Sequence, residues 1–213
     1  MNILLVSATK QEIDPFLSEF GMTSEPFEKK IGGHSVRVLI TGAGMVATAF
    51  SMGKHLAGYS YDLAVNAGIA GSFDFNLRPG EVCQVREDVF AELGAEDGDD
   101  FLSMETLGFG RSCHFARPNT AFTKHAHLKE VKAITVNKIH GNELSIAKAM
   151  DRFKPQIESM EGAAFFYACN QSGTDCIQIR AISNYVERRN RENWKIELAI
   201  KNLNTALIQL FNS

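Results

Sequence analysis

Five short stretches carry residues whose types could do chemistry. Glu161, in Ser159-Met160-Glu161-Gly162-Ala163-Ala164, opens a run of small and apolar residues. A carboxylate there must be paired or used, because burying it alone is costly. As a two-oxygen acceptor it suits the vicinal hydroxyls of a ribose, although it could instead satisfy a helix N-terminus. Glu12 stands just past the first apolar run, Ile3 to Val6. It is either a surface carboxylate on a helix start or a carboxylate poised over a water. Gly42-Ala43-Gly44 and Asn66-Ala67-Gly68-Ile69-Ala70-Gly71 are glycine-rich turns that bring backbone amides close to a ligand, or simply turn the chain. The first is not a dinucleotide fingerprint, since Ala47 replaces its third glycine. Finally, Ser183-Asn184 ends the apolar run Cys176 to Ile182 with an amide that can neither give nor take a proton.

The elements that must position these residues alternate. Strands are predicted at Asn2 to Ser7, Ser35 to Thr41, Tyr61 to Asn66, Glu81 to Phe90, Lys132 to Val136 and Asp175 to Ile182. Helices are predicted at Gln11 to Phe20, Met45 to Leu56, Asn142 to Phe153, Met160 to Gln171 and Arg191 to Phe211. Asn142 is a fitting N-cap. In the last helix, Ala199, Leu203, Ala206, Leu207, Leu210 and Phe211 share one face. The stretch 91–120 is rich in Gly, Asp and Glu without a period, and reads as a long functional loop or lid. Alternation of this kind argues for one α/β domain over residues 1–213, with a mixed, mostly parallel central sheet flanked by helices. Ligands of such sheets bind at the carboxyl ends of the strands. The five polar stretches mostly follow strands and could converge there.

Composition narrows the class. A net charge of −3 gives no basic footprint for nucleic acid or an acidic membrane surface. No run approaches the ~20 apolar residues of a membrane span, and the N-terminus reads as a buried strand rather than a signal peptide. The four cysteines, Cys83, Cys113, Cys169 and Cys176, form no CxxC pair, so a zinc site is not expected. Reduced core cysteines point to the cytoplasm.

Taken in order, ATKQE with Glu12, TGAGMVAT, VNAGIAGSF followed by LRPGEV, SMEGAA, and RAISN with Asn184 resemble the nucleoside phosphorylase/nucleosidase superfamily. The resemblance is to its 5′-methylthioadenosine/S-adenosylhomocysteine nucleosidase branch and the related futalosine hydrolase branch, and it spans nearly the whole chain. It implies a nucleoside phosphorylase-like fold and cleavage of an N-ribosidic bond, with a purine nucleoside as partner and no cofactor. Glu12 would activate the attacking water. Met160 and Glu161 would hold the ribose. Ile69, Ala70 and Gly71 would lie by the water or anion. Lys138 and Ile139 would border the purine, with Ser183 and Asn184 at its N7 edge. A homodimer is implied too.

Asn184 departs from the adenine branch, which carries Asp at that place. Adenine leaves best when an acid protonates N7. An amide can only donate hydrogen bonds to N7 and a 6-oxo oxygen, so Asn184 favours hypoxanthine as the leaving base. Residues 42–50 and 67–75 hold no Arg or Lys to bind phosphate, which favours hydrolysis over phosphorolysis. The run from Ser183 to Trp194 resembles the futalosine hydrolase branch, whose members release hypoxanthine on a route to menaquinone. The 5′ benzoate of futalosine needs apolar walls and a cation. Phe101, Phe109 and Phe115 with Arg111 or Arg117 are the candidates.

Overall fold

Strand β1 (Asn2–Ser7) is buried from Ile3 onward, which is why its centre is an unbroken apolar run. In the computed structural model, which describes residues 1–118, 122 and 128–212, it lies inside the sheet. It runs parallel to β3 (His34–Ile40) on one side and β4 (Leu63–Ser72) on the other. Beyond β4 lie β11 (Cys176–Tyr185), parallel to it, and β5 (Val82–Phe90), antiparallel to β11. Next come β9 (Lys129–Thr135) and β10 (Ile157–Ser159), parallel to β5 and to β9 respectively. At the edges, β2 (Glu28–Ile31) pairs antiparallel with β3, and β8 (Cys113–Phe115) with β5. The sheet is mixed and mostly parallel, as the alternation predicted, with the antiparallel pair β11–β5 inside it. β10 also pairs antiparallel with β4, at Ile157–Ser72 and Glu158–Gly71. The path β4–β11–β5–β9–β10 therefore returns to β4.

Alternate residues of β1 serve different layers. Ile3 and Leu5 join Phe16 and Leu17 of α1 (Lys10–Glu19) and Leu203 and Leu207 of α6 (Ile196–Asn212). Leu4 and Val6 join Met52 of α2 (Met45–Leu56) and Phe165 and Phe166 of α5 (Gly162–Ser172). Period-two alternation on one buried strand thus feeds both helix layers. In α6, Ala199, Leu203, Leu207, Leu210 and Phe211 are buried, and Ala206 is half-buried at the margin of that face. Helix α4 (Glu143–Phe153) starts where Asn142 accepts hydrogen bonds from the Leu144 and Ser145 amides.

Three sequence expectations change. Ala67 to Gly71 is not a turn after a strand but the second half of β4, held by β11 on one edge and β10 on the other. Ser183 and Asn184 do not lie past the last strand. β11 runs on to Tyr185, with a bulge between Ile182 and Asn184 that re-aims the chain. Within 91–120, β6 (Gly94–Asp97) and β7 (Asp100–Ser103) form a hairpin, followed by α3 (Met104–Leu107) and β8. Residues 119 and 120 of that stretch lie outside the described residues. Among the described residues, no helix is long and apolar enough to cross a membrane.

Candidate active site

Several of the candidate residues gather along the carboxyl half of β4. Glu12 leans onto it from the first turn of α1. Its Oε2 accepts hydrogen bonds from the Thr9 amide (3.1 Å), Thr9 Oγ1 (3.0 Å) and Ser7 Oγ (3.4 Å). Its Oε1 accepts one from the Ile69 amide at 3.1 Å. The bond from the Thr9 amide is one half of a capping box, so the helix start itself aims the carboxylate. Gly68 makes the approach possible. A Cβ there would stand 2.9 Å from Glu12 Oε1 and 2.2 Å from an Arg180 guanidinium nitrogen.

Arg180 is fully buried and has no carboxylate within ion-pair distance among the described residues. Its Nε donates to Gln178 Oε1 at 2.8 Å and its Nη2 to Asn66 Oδ1 at 2.5 Å. The chain of bonds continues under the site. Gln178 Nε2 donates to Asp88 Oδ2 (3.1 Å), Thr135 Oγ1 to Asp88 Oδ1 (2.8 Å), and the Ala163 amide to Thr135 Oγ1 (2.7 Å). Burial pushes the Asp88 carboxyl up from 3.8 to about 6, and the nearby Glu161 charge adds to this. The bonds from Thr135 and Gln178 and the charge of Arg180 act the other way.

Glu161 is the N-cap residue of α5, but its side chain does not cap that helix. It turns to a different one: Oε1 accepts from the Gly44 amide at 2.9 Å, and Oε2 from the Met160 amide at 3.3 Å. Gly44, at φ 93°, is the N-cap of α2. The two stretches TGAG and SMEG, over a hundred residues apart, thus meet. Gly162 lets α5 begin against the buried polar chain, since a Cβ there would fall 2.0 Å from Asp88 Oδ2.

Asn184 lies further along β11, paired with Gly71 of β4. Its Oδ1 accepts from Ser183 Oγ (2.7 Å) and its Nδ2 donates to the Tyr185 carbonyl (2.9 Å), which fixes the amide and leaves a second N–H. Ser183 Oγ also lies 3.1 Å from the Ala70 carbonyl. Asn184 lines a cleft with Gly71, Ile139, His140, Glu158 and Trp194. Of the residues expected at the purine, Ile139 lines this cleft, whereas Lys138 is exposed and does not.

A larger cavity of about 890 Å³ opens from Met45 and Val46, next to Gly44. Phe109, Arg111, Phe115 and Arg117, four of the five residues named as candidates for a 5′ benzoate, line it. Phe101 does not. Its ring takes the Arg152 guanidinium 4.2 Å above its centre and packs on Phe153. Sequence reasoning missed Asp88, Gln178, Arg180, His140 and Glu158. Gln178 and Arg180 left a signal: two polar residues on one face of a strand otherwise read as buried core.

The chain belongs to the phosphorylase superfamily, whose model matches residues 2–212. Within it, the sequence is 30% identical to a futalosine hydrolase of Thermus thermophilus, over 97% of this chain and 94% of that one. It is 26% identical to a 5′-methylthioadenosine/S-adenosylhomocysteine nucleosidase of Colwellia psychrerythraea, over 85% of this chain and 79% of the other. The fold matches that of Helicobacter pylori futalosine hydrolase with a TM-score of 0.83 at 17% identity, covering 99% of this chain and 97% of that one.

Proposed function

We propose that this protein hydrolyses the N-ribosidic bond of futalosine, releasing hypoxanthine and dehypoxanthine futalosine on a route to menaquinone. Asn184 carries this reading. It lines the base cleft with its amide fixed by Ser183 and Tyr185, so its remaining N–H can donate to O6 of a 6-oxopurine, where the 6-amino group of adenine offers no acceptor. A 6-oxopurine offers acceptors at N7 and O6 and leaves more easily than adenine. The 30% identity to a futalosine hydrolase supports the same substrate.

Glu12 orients water and takes its proton as the oxygen attacks the anomeric carbon. The amide of Ile69, with Ala70 and Gly71 beyond it, borders that water. Glu161 and Met160 hold the ribose hydroxyls, and Ile139 and Ser183 flank the base. Bond breaking leaves an oxocarbenium-like sugar, and the fixed carboxylates of Glu12 and Glu161 stabilise its charge. No cofactor takes part. Phe109 and Phe115 with Arg111 or Arg117 receive the benzoate. The enzyme is cytoplasmic and acts as a homodimer. Val46 (77% exposed), Phe50 (72%), Phe109 and Tyr167 leave an apolar face open. The buried atoms His114 Nε2 and Asn170 Oδ1 beside it have no partner in the described residues. Phe50→Glu is expected to shift the protein from dimer to monomer in light scattering.

The deciding experiment is chromatography of the free base from futalosine, inosine and methylthioadenosine, each with and without phosphate. Hypoxanthine from futalosine, independent of phosphate, is the expected result. Adenine from methylthioadenosine would assign the adenine nucleosidase activity instead, and phosphate-dependent turnover a phosphorylase.

A further inference from the structure

The mechanism above leaves one chemical gap. Hypoxanthine departs with the electron pair of the C1′–N9 bond, and Asn184 has no proton to give it. The same cleft holds a group that does. His140 lines it beside Asn184, and Glu158 fixes the imidazole from behind. Glu158 is 4% exposed, and both its oxygens are engaged by one residue. Oε1 accepts from the His140 amide (3.0 Å), and Oε2 meets His140 Nδ1 at 2.6 Å. With Nδ1 committed to the carboxylate, Nε2 is the nitrogen available to a ligand, and it has no partner among the described residues. Glu158 and Asn184 reach the cleft from either side of Gly71. A Cβ on that glycine would lie 3.6 Å from Glu158 Cγ and 3.4 Å from Asn184 Nδ2. The other charged groups of the cleft are already occupied. Glu187 accepts from Asn193 Nδ2, and Arg189 lies 5.0 Å over the Trp194 ring.

We propose that His140 is a second catalytic residue at the base, protonating hypoxanthine as it leaves, with Glu158 as its positioning residue. This rests on the futalosine reading. The step balances. The C1′–N9 bond breaks, its electron pair goes to the purine, and the proton on His140 Nε2 passes to N7. Water oxygen bonds to C1′, and its proton goes to Glu12. Solvent then returns a proton to His140 and takes one from Glu12. Asn184 gives its one remaining N–H to O6 and so selects the 6-oxopurine, and N7 is left to His140, which supplies the proton an amide lacks.

The test separates acid catalysis from packing by changing the leaving group. His140→Gln is expected to lower kcat for futalosine by about 100-fold or more, with little change in KM. On p-nitrophenyl β-D-ribofuranoside, whose phenolate needs no proton to leave, the same variant should lose far less than on futalosine, and its circular dichroism and melting temperature should show that it is folded. Glu158→Gln should show the same selectivity with a smaller loss. Equal losses on both substrates in His140→Gln and His140→Asn, or no loss on futalosine, would overturn the proposal. A wild-type enzyme that releases no hypoxanthine from futalosine would instead remove the reading beneath it, before any variant is made.

Discussion

The glutamate side of the site and the asparagine side are held by opposite means. Glu12 is fixed by donors from the end of β1, from the turn after it and from β4, so distant parts of the chain converge on one carboxylate. Asn184 is fixed by its two chain neighbours alone, on a bulge at the end of β11. The first arrangement cannot shift without disturbing the sheet. The second is local, and the side chains facing it come from loops after β9 and β11 and from β10. The group proposed to meet a developing charge is built into the scaffold, where preorganisation counts most. The group proposed to choose the base is held by local bonds, so the sheet would outlast an exchange of its side chain.

Glu12→Gln is the sharpest way to break this comparison. Its one carbonyl can keep the Ile69 or the Thr9 amide but not both, and the base is lost, so kcat should fall by about 1,000-fold or more while the melting temperature drops only modestly. A fall in stability as large as the fall in rate would mean that the carboxylate is chiefly a capping group. Asn184→Asp probes the other side. Its effect should be a change of preference: the ratio of kcat/KM for methylthioadenosine over futalosine should rise by about 10-fold or more, read by base release. An unchanged ratio would place base selection elsewhere.

The smallest effect concerns the buried polar chain that runs from Arg180 through Asp88 to the start of α5. Asp88 binds its proton more tightly folded than unfolded, with its carboxyl pushed from 3.8 to about 6. The folded state therefore holds more protons across that window, and this contribution to stability is lost as pH rises through it. Melting temperatures of wild type and Asp88→Asn, compared from below pH 3.8 to above pH 6, should show the wild type losing ground to the variant as pH rises. Parallel profiles would show that Asp88 titrates alike in both states.

Much of this was readable from local pattern. β1 and α2 fall where apolar runs and glycine breaks put them, and the Asn142 cap opens α4 as predicted. What escaped was non-local. β2 is a charged edge strand, EKKI, with too little apolar character to signal itself. β10 has three residues and exists because β9 and β4 supply its partners. Glycines that read as a turn lie inside β4 because Glu12, Arg180 and Glu158 press on that strand from its flanks, which no single segment can reveal. The same applies to the site. Glu12, Glu161 and Asn184 stood out by type and place. His140 and Glu158 did not, since each is ordinary until the other stands 2.6 Å away.

The double pairing of β10 sets the terms for anyone wishing to retrain this protein on other bases. The segment carrying Glu158 into Met160 and Glu161 is stitched to neighbours on both edges. Loop grafts and insertions there would unpick the sheet, so new specificities have to be sought by exchanging side chains on fixed mounts. Positions 139, 140, 158 and 184 form a compact set for a combinatorial library, with activity on an alternative purine as the screen and Glu12 and Glu161 left untouched.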